Sequence, residues 1–528
     1  MTGVSAGIRL GEAPGRRESA RALRAVRTIR RARGEGASRG DIVYAVYAAA
    51  MVGAIVAFPL VRAVVLWLAE PQASGVLIEV GPAVAASVFA FACAGFVALG
   101  GVRGPAALSP FLIYAVAGSG HPRRRTLLRP VLRAVLVLAV LGAALTLLPA
   151  MVLVAGGGST VGGALAFTAA GALAGVVCGA CWVLGQSASG AVRAWIVAGV
   201  LAAWGVWAVA AFAVPPLGFV LVVLGVLAAA GVAVIPGLLD RMRGPALLAQ
   251  AQRWQTAGTL AFTGDLAMAM GEFRAVPRRG RGLAAIGDFR SLVLLFLRRD
   301  LVGSLRTPGR FASACAGCLG FGLLVAVATG ASGVGMWFVA CAAAVVGHLA
   351  LGVWSDGFRH VAEVAAAPPL YGVSTGRLLG LHAGLPVVGG VVWAVLGAGA
   401  GSVLGFGFDG GSVGGFDSGF GGGVAAVVAA VLASVAVAVV SVLLLVLVRV
   451  YDSAKGPLPL TLMAPVPTPV GDMSALVVAA WQADAVLLAG FVVGAVVAAV
   501  GAFGVAGVFV GVPLGAGLVW MARRRVLA

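Results

Sequence analysis

Several short motifs in this chain have the residue types of a chemical site. GVSTG (372–376) fits G-x-S-x-G, the strand-to-helix elbow that exposes a nucleophilic serine. Pro-Pro-Leu-Tyr stands where the strand would have to be, so Ser374 reads as a turn residue. GFGFDG (405–410) fits G-x-G-x-x-G, whose glycines bring a backbone close to a dinucleotide pyrophosphate inside a βαβ unit. No such unit surrounds it. The glycine-rich run continues through GGSVGGFDSGFGGG, and Asp409 and Asp417 read as loop charges rather than cation ligands. Two C-x-x-C pairs, Cys178/Cys181 and Cys315/Cys318, could hold zinc if their segments met. Both lie among Ala, Gly and Val, where cysteine serves as a small apolar residue, so no metal or other cofactor is expected. No G-x-x-x-x-G-K-[ST] occurs, and the one lysine, Lys455, lies in SAKGPL, so the chain lacks that phosphate-cradling loop for ATP hydrolysis. Neither His348 nor His382 has an acid close by in sequence, and both read as packing residues. With no catalytic cluster left, the chain is not expected to be an enzyme.

Composition dictates what must hold these residues. The 528 residues are 61% hydrophobic and 10% charged, with a mean hydropathy of +1.07; soluble domains carry about a quarter charged residues. The fold class is therefore all-α, a polytopic membrane protein. Twelve apolar runs approach the roughly 20 residues that cross a bilayer: 42–68, 76–101, 131–154, 160–185, 193–213, 217–238, 311–329, 333–354, 378–403, 423–448, 474–496 and 499–521. Residues 1–41 are too long and too charged for a cleavable leader, so the first run is expected to remain.

The formal charge of +19 would suggest nucleic acid in a soluble protein. Its placement says otherwise. With both termini in the cytoplasm, the inner segments and adjoining helix ends, Arg133 among them, take 36 of the 37 Lys and Arg residues, as the positive-inside rule requires of a cell-membrane protein. The exception, Arg62, can snorkel to the headgroups, while Glu70, Asp409 and Asp417 fall outside. Anionic lipid on the cytoplasmic side is an expected partner; nucleic acid is not. Glycines at four-residue spacing, Gly171, Gly175 and Gly179 in one run and Gly507, Gly511 and Gly515 in the last, mark faces where helix backbones approach closely.

The spans fall into two sets of six. The divisions are a basic segment (1–41), a first half (42–238), a basic linker (239–310), a second half (311–521) and a basic tail (522–528). Each half opens on a basic, partly amphipathic stretch, 17–33 and 288–310, expected to lie in the inner headgroup layer. The second should end at Thr307-Pro308-Gly309. Between its second and third spans each half carries an apolar segment, a Gly/Pro turn, one or more arginines and a Leu-Leu pair. These are LSPFLIYAVAGSGHPRRRTLLRP (108–130) and VAEVAAAPPLYGVSTGRLLGLHAGLP (361–386).

A leading interfacial helix, six spans and an inner segment carrying AAPPLYGVSTGRLL resemble the permease subunits of ABC-2-type ABC transporters, in the fused two-half form of actinobacterial membrane proteins of about this length. The resemblance implies an exporter whose two halves line a pathway for a substrate left unnamed. It also implies a separate ABC ATPase subunit, in two copies, docked on inner loops 106–130 and 361–382. Coupling then falls on Pro368, Pro369, Tyr371, Gly372, Thr375 and Arg377, and in the first half on Pro122, Arg123, Arg124 and Arg125, where the double proline and tyrosine are missing. An ion-coupled carrier of the major-facilitator type also has six plus six spans. The loop after span two lacks that family's G-x-x-x-D-[RK]-x-G-[RK], and the titratable groups near the bilayer are chiefly Asp484, Glu79 and Arg62, toward span ends or at unfixed depth.

Overall fold

The computed structural model describes residues 71–118, 122–209, 215–262, 266–273, 280–365 apart from 281, 288 and 289, 372–403, 424–464 apart from 457, 467–468, 471–472 and 474–527, with isolated positions between 25 and 69. The basic stretch 17–33, most of the first expected span, Pro368, Pro369 and Tyr371, and the loop holding Asp409 and Asp417 lie outside the described residues. Two compact units part within the basic linker: Met1–Phe262 with Ala267–Phe273, and Thr263–Leu266 with Arg274–Ala528.

Long runs of Ala, Val, Leu and Gly become helices in both units, because a helix satisfies every backbone group within the segment where no water can. Unit 1 contains α1 Pro71–Gly100, α2 Pro110–Gly118, α3 Arg123–Ala155, α4 Val161–Ser187, α5 Gly190–Val209, α6 Leu217–Arg241, α7 Gly244–Phe262 and the short α8 Leu266–Gly271. Unit 2 contains α9 Leu292–Leu305, α10 Pro308–Gly330, α11 Gly333–Leu351, α12 Asp356–Glu363, α13 Thr375–His382, α14 Gly384–Val403, α15 Val424–Ser453, α16 Ser474–Phe503 and α17 Gly511–Leu527, with a two-residue β-hairpin pairing Pro467–Thr468 with Gly471–Asp472. Nine helical stretches among the described residues are long and apolar enough to cross a membrane, or ten if the helices at Gly335–Leu351 and Asp356–Glu363, bent by 68°, form one span.

Three boundaries differ from the sequence expectation. α3 starts at Arg123, directly after Pro122, rather than near 131, because the arginines and leucines of RRRTLLR are good helix formers, and it takes Pro130 into its interior. Its 33 residues reach about 50 Å, well beyond a hydrocarbon core of about 30 Å, so its arginine-rich turns extend past the apolar part. The helix expected to end at Thr307-Pro308-Gly309 ends two residues earlier, at Leu305, and Pro308 already occupies the first turn of α10, where its missing N–H costs nothing. Gly507 does not share a helix with Gly511 and Gly515. It lies in a 3-10 turn, Gly504–Val510, that begins on Gly504 at φ +62°.

That turn folds the apolar stretch Leu476–Val526 back on itself. Arg525, near the end of α17, reaches Asp484, near the start of α16, at 2.9 Å. The stretch is therefore an antiparallel pair.

Glycines set the closest helix contacts. A Cβ on Gly171 would come within 2.1 Å of Thr146 Oγ1, on Gly175 within 2.2 Å of the Leu138 carbonyl, and on Gly179 within 2.9 Å of Val135, so this row seats α4 against α3. Gly511 and Gly515 face α15 through Val440 and Leu444. In unit 2, Gly322 and Gly397 press α10 and α14 together to the same degree. The unit 1 core gathers at one end around Ile113, Leu127, Val131, Ile235, Leu239 and Met242; that of unit 2 runs along the bundle through Phe321, Leu351, Phe358 and Leu445.

Candidate functional site

In each unit most of the described charged residues, Arg62 excepted, collect at one end, where α1, α4 and α6 finish and α3 and α5 begin, or where α11, α15 and α17 finish and α10, α14 and α16 begin. In unit 1 the second residue of α3, Arg124, meets the C-terminal turn of α6. Its backbone N–H donates to Asp240 Oδ1 at 3.0 Å, and its guanidinium lies 3.5 Å from Oδ2. Pro122 and Arg123 beside it are half-buried, and Arg125 is exposed.

Between α1 and α3 lies α2. Leu112 and Ile113 are buried, whereas Phe111 and Tyr114 are 54% and 69% exposed. Anchored by one face, α2 offers an aromatic pair on the other. Nothing in the sequence separates this pair from its buried neighbours, because apolar residues in a helix more often mark a buried face.

Unit 2 carries its own short helix, α12, in the same chain position. Phe358 and Val361 bury one side, and Asp356, His360 and Glu363 lie exposed on the other. Arg310 at the start of α10 bonds Asp356 at 3.4 Å. After residues 366–371, Gly372 is exposed at φ +62°, a left-handed conformation that suits a residue without a Cβ. Ser374 precedes α13 in extended geometry with no side-chain capping bond; Thr375 is half-buried and Arg377 exposed.

The far end of α13 is locked. His382, only 3% exposed, sets Nδ1 at 2.7 Å from Asp300 Oδ2 of α9. Phe296 of α9 meets its ring edge-on with centroids 4.9 Å apart, and Gly357 of α12 leaves room for the imidazole, since a Cβ there would fall 2.3 Å from Nδ1. Three helices thus converge on one imidazole. The acid it lacks in sequence comes from 82 residues away.

Two further polar knots tie the ends of the spans. Arg449 of α15 donates to Ser355 Oγ at 3.2 Å, to His348 Nε2 at 3.0 Å and to Asp452 Oδ2 at 2.9 Å. A guanidinium only donates, so His348 accepts there. Asp484 of α16 accepts from Arg525 and from Tyr451 Oη at 3.2 Å, and pairs with Lys455, which also meets the Trp481 carbonyl. Arg525 in turn lies 3.8 Å over the Tyr451 ring. Asp484, one of the two carboxylates that the sequence places near the bilayer, is held by two cations. Buried charge of this kind persists only when paired in this way.

Among the described residues, no three His, Cys, Asp or Glu side chains converge on a metal position. Cys178 lies 3.9 Å, Sγ to Sγ, from Cys93 of α1; the side chain of Glu79 lies outside the described residues. The arrangement can hold helix ends together and present two short helices, each with a buried and an exposed face. Comparison with protein-family models, curated proteins and solved structures finds no match for this chain.

Proposed function

We propose that this chain is the permease of an ATP-driven exporter of the ABC-2 type, a multi-pass protein of the cell membrane with twelve spans in two halves and both termini in the cytoplasm. A separate ABC ATPase, in two copies, docks on the basic ends, with anionic headgroups alongside. The observation that carries the reading is the pair of short helices, α2 and α12, each inserted between two spans at the basic end of its unit and each exposing one face. Their buried faces make them rigid extensions of the spans. A partner that pushes on them moves the spans too.

Charge supports the side. The described connections at the opposite ends, 156–160, 331–332 and 504–510, contain no Lys or Arg, as outer loops should not. The lock at His382 supports transmission, because a force on residues 366–371 or Arg377 passes through α13 into α9, α12 and α14 together.

The test is co-purification with an ABC ATPase encoded beside this chain. Tyr371→Ala with Arg377→Glu, and separately Phe111→Ala with Tyr114→Ala, should each weaken ATPase binding and transport together while membrane insertion is unchanged. Well-buried aromatic or arginine anchors contribute roughly 2 kcal/mol each, about a thirtyfold loss per anchor. Binding at wild-type strength by both double variants would remove the docking role from these helices.

A further inference from the structure

A cleft of about 420 Å³ opens at the basic end of unit 1, between the loop after α1 and helix α7, lined by Arg103, Leu108, Ser109, Leu112, Trp254 and Gln255 among others. The loop is held by side chains from elsewhere. Trp182 Nε1 donates to the Arg103 carbonyl at 2.6 Å, Trp254 Nε1 to the Val102 carbonyl at 2.9 Å and Gln250 Nε2 to the Gly100 carbonyl at 3.1 Å. Gln186 donates to Gln250 at 2.9 Å and accepts from the backbone N–H of Ala106 at 3.1 Å. Gly104 has no room for a Cβ against Gln186, nor Gly101 against the guanidinium of Arg193. Four side chains from α4 and α7 thus hold Gly100, the last residue of α1, and Val102, Arg103 and Ala106 of the loop, and Arg103 lies over the Trp254 ring, 4.6 Å from its centroid. No Asp or Glu among the described residues pairs with Arg103.

We propose that this cleft binds the phosphate headgroup of an anionic phospholipid. A guanidinium seated over an indole face keeps its charge and its planar set of N–H donors, which suits a phosphate oxygen pair. Ser109 and Gln255 add hydroxyl and amide groups at the same rim, and Leu108 and Leu112 form a wall for the glycerol and the first acyl carbons. Tryptophan is enriched at the membrane–water interface; Trp182 lies in the last two turns of the apolar α4, with Trp254 of α7 on the same loop. The cleft lies where α1 and α4 finish, so lipid is the phosphate carrier held beside it at high local concentration. This assignment does not rest on the ATPase reading.

The full chain, purified in a non-ionic detergent, is melted against rising dioctanoyl phosphatidylglycerol, dioctanoyl phosphatidylcholine and inorganic phosphate. The anionic lipid should raise the melting temperature saturably, and the other two should not at equal concentration. Arg103→Gln should shift the half-saturating concentration upward by about fivefold, the worth of one arginine at an anionic surface. Arg103→Lys, which keeps the charge but loses the stacked fork, should fall between the wild type and Arg103→Gln. Ala107→Trp, which fills the cleft from an exposed position while retaining Arg103, should abolish the response without lowering the melting temperature of the lipid-free protein. That variant decides the matter if Arg103→Gln proves unstable. Equal responses to both lipids, or a wild-type response from Ala107→Trp, overturns the site. A response to inorganic phosphate matching that to the anionic lipid overturns lipid as the ligand.

Discussion

Asp484 shows how little a residue type says before its neighbours are known. In sequence it is a carboxylate within an apolar stretch; in the fold it accepts from Tyr451 and neutralises Lys455 and Arg525. Asp484→Asn should therefore lower thermal stability by about 2 kcal/mol, since one neutralised partner leaves two cations exposed to each other. Under the ATP-driven reading, transport per folded molecule should hold; transport lost at full stability would instead identify a proton-carrying acid. Glycine spacing was legible, because a four-residue repeat places small residues on one helix face whatever the partner. Gly175→Leu should cost about 1–3 kcal/mol through overpacking, whereas Gly199→Ala, with nothing within 4 Å of its added Cβ, should change the melting temperature little. The histidine networks were not legible. Asp300 and Asp452 reach His382 and His348 only after distant helix ends have met, and one chain read alone carries no record of which ends do.

At the scale of elements, apolar runs located the spans, but helix ends followed local rules that hydropathy does not see. α3 begins eight residues before its apolar run because arginine is a good helix former, and Pro308 opens α10 where the sequence suggested a stop. The repeated scheme between spans marked where each half departs from its spans, and a short helix lies in each of those segments. Its placement in the second half was not legible: α12 precedes residues 366–371, and α13 after them is already continuous with the next span apart from one turn. The clamp on α13 makes a separate prediction. Asp300→Ala should release α9 while the spans stay packed, so limited proteolysis should cut within 292–305 at least several times faster than in the wild type. Equal cleavage rates would mean that Phe296 and Leu297 alone seat the helix.

Across the molecule, the segregation of basic residues to one end of each unit makes orientation testable. In a variant stripped of native cysteines, a cysteine at position 415 should be labelled by a membrane-impermeant reagent from outside intact cells, and one at position 280 should not; the opposite pattern reverses the protein in the membrane. A mechanical consequence follows from the length of α3. It is gripped by α4 from Val135 to Thr146, with Gly142 and Gly171 leaving no space for a Cβ on either, so under the exporter reading it acts as a lever with its fulcrum near the middle of that grip, at Gly142. The arginine arm measures about 28 Å and the far arm about 20 Å at 1.5 Å per residue. A sideways stroke at Arg124 then emerges at the other face of the membrane reversed in sense and roughly 0.7 times as large. Pro130 and Pro149 put one compliant joint on each arm, so the delivered stroke falls short of that ratio, and stiffening either joint with alanine should lengthen it.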